Sequence, residues 1–129
     1  MIRYAALMIP LLLAGPHAAH AQSVASLLSE ANDSAGRASK ENEEASFYFR
    51  RGRDSTGCIH LSASYTASLR AIESLEKARS LAGDRATVTR IDGYLGSMRT
   101  GLDAVRQAGR ACPDGLEDYD AYEGGDYDE

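Results

Sequence analysis

The chain has 129 residues, a formal net charge of −5, two Cys and no Trp. Its length allows one domain at most. The net acidity lies in residues 114–129, with 13 Lys or Arg against 11 Asp or Glu from Gln22 to Pro113 and none against 8 beyond it; nucleic acid is not the expected partner.

Residues 1–21 read as a cleavable export signal. Arg3 supplies the positive start, and Tyr4 to Ala14 is apolar and uncharged. Ala19-His20-Ala21 then fits the small-x-small pattern cut before Gln22. The apolar run is too short to span a bilayer, which takes about 20 residues. The expected product is exported, periplasmic or secreted, and not membrane-spanning. His17, His20, Met1 and Met8 leave with the signal, so His60 and Met98 are the last of their kinds. Single copies cannot build a His-rich or Met-rich metal site within one chain. Neither a metal nor a cofactor is expected.

Residues 23–50 predict a first helix. Val24, Leu28, Ala31, Ala35, Ala38, Ala45 and Phe49 can share a face. Most of these are Ala, which favours a helix but buries little area. Gly36 and the polar run Lys40 to Glu44 dilute the pattern. The helix is expected to lie along the rest of the domain, with a detached or exchanged helix as the alternative.

The aromatics Phe47, Tyr48 and Phe49 run directly into Arg50, Arg51, Gly52 and Arg53. Tyr48, Arg50, Arg51 and Arg53 are candidates for holding an anionic partner. The plainer reading is a helix end, with Gly52 just past it and the arginines complementing the helix dipole.

Residues 58–82 predict a second helix, with Leu61, Tyr65, Leu69, Ile72 and Leu75 on one face. Glu73 and Lys77 make a favourable i, i+4 pair. Ala82-Gly83-Asp84 then reads as a helix end, a left-handed glycine and the next N-cap. Residues 84–110 carry the clearest pattern. Val88, Ile91, Leu95, Met98, Leu102 and Val105 alternate at spacings of three and four, an a/d seam. Gly93, Ser97, Gly101 and Ala104 form a second, small stripe. It signals either close approach of another backbone or a locally irregular helix.

A turn near 84–85 makes antiparallel neighbours sum to about 170. Leu75 then faces Leu95, Ile72 faces Met98, Leu69 faces Leu102 and Tyr65 faces Val105. Cys58 and Cys112 also sum to 170, although the periodicity made no use of them. The sequence therefore predicts a Cys58–Cys112 disulfide across the open end of the hairpin. Export to an oxidising compartment fits that bond.

From Asp114 to Glu129 there are eight acidic residues and no basic one. This segment has one Leu and three Tyr and is expected to be a disordered acidic tail. It lacks the EF-hand spacing, because Glu123 stands where the invariant Gly would fall in a loop begun at Asp118. His60 reads as a surface residue. Ser62, Ser64 and Asp54 are near in sequence, but no Ser, Cys or carboxylate stands at a spacing that specifies a catalytic pair. No phosphate loop, zinc signature or haem motif occurs.

The expected architecture is all-α. An antiparallel hairpin (58–82 and 84–110) carries the N-terminal helix as a three-helix bundle. The domain spans 22–113, and a disordered acidic tail covers 114–129. The expected role is non-enzymatic binding of a protein or an anionic envelope surface. The alternative is a small-molecule carrier with a pocket between the helices, lined by Tyr65, Met98 and the small stripe.

Overall fold

The computed structural model describes residues 16–116, with side chains from Ser23 onward. It is all-α. Three helices run α1 (Pro16–Phe49), α2 (Asp54–Leu81) and α3 (Arg85–Gly109), and among the described residues there is no strand. No helix there is long and apolar enough to cross a membrane. Most of the expected signal and the acidic segment from Glu117 lie outside the described residues. Helix α1 runs unbroken through the expected cleavage point before Gln22.

Each helix boundary has a local cause. Gly52 ends α1 with φ 70°, and the Arg53 N–H reaches back to the Tyr48 carbonyl at 3.0 Å. That bond closes the last turn around a left-handed glycine. Helix α2 starts at Asp54, earlier than the expected 58, and takes Gly57 into its first turn. Gly57 looks like a helix breaker in the sequence. Here it is required, since a Cβ would sit 2.7 Å from the Phe49 ring. The expected left-handed glycine at position 83 is not formed. Ala82 turns extended at ψ 126° and Gly83 keeps a negative φ. Asp84 is the N-cap of α3 as expected, accepting from the Thr87 N–H at 2.9 Å and its hydroxyl at 2.6 Å.

Helix α2 is the centre of the molecule and is covered from two sides. Towards α3 it presents large side chains. Leu61, Tyr65 and Leu75 are buried, as are Ile91, Leu95, Leu102 and Val105 opposite. Leu69 departs from the expected register and is 39% exposed. With α1 covering α2 through Ser64, Ala71 and Ala78, the buried arc of α2 extends away from position 69. Leu69 falls at the far edge of that arc.

Towards α1 the contact is made of small side chains. Ala31, Ala38 and Ala45 of α1 are buried, and so are Gly57, Ser64, Ala71 and Ala78 of α2. Both sets repeat every seven residues. The Ser64 hydroxyl donates to the Ala38 carbonyl at 2.8 Å. A side chain as short as Ser reaches a neighbouring helix backbone only when the two axes lie close.

Cys58 and Cys112 are bonded, with Cα atoms 5.8 Å apart. The chain continues in ordered form beyond the expected boundary at Pro113. Gly115 turns it back at φ 73°, and Leu116 enters the core beside the disulfide. The Ser62 hydroxyl donates to the Leu116 carbonyl. A Cβ on Gly109 would collide with the Leu116 side chain. From sequence Leu116 belongs to the expected acidic tail, a segment with little apolar surface to bury. Buried against Gly109, it packs into the core and is the last described residue.

Candidate functional site

The buried side chains form two clusters, one at each end of the bundle. The first surrounds the disulfide with Leu61, Tyr65, Leu102, Val105 and Leu116. The second lies near the α2–α3 turn with Ala31, Leu75, Ala78, Ile91 and Leu95. Ile72 packs against both.

At the second end a cleft opens between α1 and α3. The same alanines that bring α1 close to α2 carry no bulk to reach across to α3. The result is a cavity of about 310 Å³. Leu75 of α2 lies at its floor. Leu28, Ala31 and Ala35 line it from α1, and Tyr94 and Met98 line it from α3. The polar lining groups are Asn32, Ser97 and Arg90.

Arg90 differs from Arg79 and Arg99, which flank the α2–α3 seam. Arg79 binds Asp92 at 2.6 Å and Arg99 binds Glu76 at 2.9 Å. Arg90 has no ion pair or hydrogen bond among the described residues. Asp84 feels its charge and accepts two hydrogen bonds from Thr87. That pair of hydrogen bonds, the hydroxyl first, holds the Asp84 carboxyl below its ordinary range.

The structure corrects the pocket lining expected from sequence. Met98 and Ser97 do line the cleft. Tyr65 is buried at the disulfide end instead. Gly93, Gly101 and Ala104 are exposed, and no atom lies within 4 Å of a Cβ built on Gly93 or Gly101. The small stripe therefore meets no backbone of the described chain. Leu28, Ala35 and Tyr94 were missed. Tyr94 was the available signal, an aromatic outside the a/d seam that remains 51% exposed.

The second candidate is the arginine turn at the disulfide end. Arg51 lies over the Phe47 ring at 3.5 Å and donates to the Phe47 carbonyl at 3.3 Å. Arg50 and Arg53 are exposed. Tyr48 meets the Phe47 ring edge-on, with centroids 5.3 Å apart, and stacks on His60, with centroids 5.2 Å apart and planes 4° from parallel. His60 Nδ1 meets Glu41 Oε2 at 2.7 Å, and the His60 side chain is only 12% exposed. The expected surface histidine is thus a covered one, held by α2 against Tyr48 and Glu41 of α1. Ser62 and Ser64 give their hydroxyls to backbone carbonyls and not to His60.

Among the described residues no group of three His, Cys, Asp or Glu could hold a metal ion. The arginine turn and the cleft stand at opposite ends. From Cys58 to Leu75 the helix rises roughly 26 Å at 1.5 Å per residue. No family model, curated protein or solved structure matches this chain.

Proposed function

We propose that the chain is an exported, non-enzymatic binding protein of the periplasm or envelope, and that the α1–α3 cleft is its binding element. The observation that carries this reading is the cleft itself: an apolar concavity of about 310 Å³ with a few polar groups in its lining. Ligand sites are of this kind, at roughly 300–1,000 Å³ with mostly apolar walls. The cleft moves the balance from a macromolecular interaction protein towards a small-molecule carrier. Export rests on the signal-like start and is supported by the disulfide, which suits an oxidising compartment.

Two measurements test the reading. Mass spectrometry of the protein recovered outside the cytoplasm should give a chain beginning at Gln22. A titration of that chain with the neutral apolar dye N-phenyl-1-naphthylamine should saturate at one site, with methyl NMR shifts confined to Leu28, Leu75 and Met98. A cytoplasmic, uncut chain removes the export claim. Shifts spread over the surface without saturation remove the cleft as the binding element.

A further inference from the structure

The cleft joins two features that rarely meet without a reason. Its walls are Leu28, Leu75, Met98 and the exposed ring of Tyr94. Its lining also includes Arg90, which makes no ion pair or hydrogen bond among the described residues and is felt electrostatically by Asp84. The other arginines that line the α2–α3 face, Arg79 and Arg99, each hold a carboxylate. The Asp84 carboxylate feels the Arg90 charge but makes its hydrogen bonds with Thr87. Asn32, on the α1 side of the same cavity, adds an amide that can donate to an anion.

On the reading that the cleft binds small molecules, we infer that its ligand is a single-chain anionic amphiphile, a medium-chain monocarboxylate in its simplest form. The hydrocarbon chain lies on Leu75 between Leu28 and Met98, and the carboxylate meets Arg90. Three physical points select this class. One unpaired positive charge matches one negative headgroup. Guanidinium presents donors in a planar fork that fits a carboxylate bidentately. A volume at the lower end of the ligand-site range suits one short chain and excludes a two-chain lipid.

The test is displacement of N-phenyl-1-naphthylamine from the mature chain by decanoate, decanol and decylammonium, each below its aggregation threshold. Decanoate is more soluble in water than decanol, so hydrophobicity alone favours decanol. The expected result is the reverse order, with decanoate about tenfold tighter than decanol and decylammonium weakest, a gap equivalent to one charge-assisted hydrogen bond. Arg90→Ala should erase the preference for decanoate and leave decanol unchanged. High salt should narrow the gap, because Arg90 is exposed. Equal binding of the acid and the alcohol, or a preference that survives Arg90→Ala, overturns the inference while the cleft still binds the dye. Failure of the dye to bind overturns the functional reading beneath it. Competition seen only after removal of residues 117–129 would make the chain's own acidic segment the occupant, and it too would overturn the inference.

Discussion

The two faces of α2 solve the same packing problem with opposite materials. Towards α3 the helix uses Leu61, Tyr65 and Leu75 against Ile91, Leu95, Leu102 and Val105. Stabilisation there scales with apolar area removed from water, about 25 cal/mol per Å². Towards α1 it uses Gly57, Ser64, Ala71 and Ala78 against Ala31, Ala38 and Ala45. Little side-chain area is available on that side. Close backbone approach and many weak dispersion contacts take its place, with a hydroxyl-to-carbonyl bond from Ser64 to Ala38. The first face is vulnerable to losing atoms and the second to gaining them. The difference also makes the cleft, because a helix held by alanines leaves space beside it.

The disulfide sits at the end where both faces meet. Its reduction should have the largest effect. In the loop-entropy model a loop of about 55 residues contributes about 4 kcal/mol, so thermal unfolding with and without reductant should differ strongly. An unchanged transition would mean the packing alone closes that end. Truncation on the large face comes next. Ile91→Ala should cost about 2–5 kcal/mol by denaturant unfolding, because Ile91 is 1% exposed. Leu69→Ala, at the half-open position, should cost under about 0.5 kcal/mol. Equal costs would restore the register in which Leu69 faces Leu102.

Enlargement on the small face should follow. Ala71 has no exposed surface, and Ala71→Leu should cost about 1–3 kcal/mol although it adds apolar atoms. A neutral or stabilising result would show the α1–α2 contact to be loose. The smallest effect concerns the surface. Hydrogen bonds to Thr87 lower the Asp84 carboxyl, and the hydrogen bond from Arg79 lowers that of Asp92. A group lowered in the folded state stabilises fully above its unfolded value and loses that contribution as pH falls through its folded value. The gap in melting temperature between the protein and Asp84→Ala should therefore be full at pH 7 and shrink below about pH 4. A gap that persists at lower pH would place the Asp84 effect elsewhere.

The large face was legible in the sequence because Leu, Ile and Val stand out against polar neighbours at helical spacing. The Cys58–Cys112 bond followed from the register those residues set. The small face was not legible. An Ala, Ser or Gly every seventh residue is as common on an exposed helix as in a tight contact, and only the partner helix distinguishes the two. Leu116 was hidden by its acidic surroundings, since one Leu gives no period. His60 looked exposed because its cover, Tyr48 and Glu41, comes from the preceding helix. The cleft arises from missing bulk, which leaves no motif. Tyr94 and the unpaired Arg90 were its only traces.

If the space left by the small-residue helix is the binding element, filling it must abolish binding. Ser97 lines the cleft and is exposed, so Ser97→Phe places a ring in the cavity without disturbing the core. Ala104, exposed on the same helix outside the cleft, provides the control as Ala104→Phe. Dye titration of both variants should show binding lost for Ser97→Phe and kept for Ala104→Phe, with both melting as the parent does. Full binding by Ser97→Phe, or equal loss in both variants, would contradict the account.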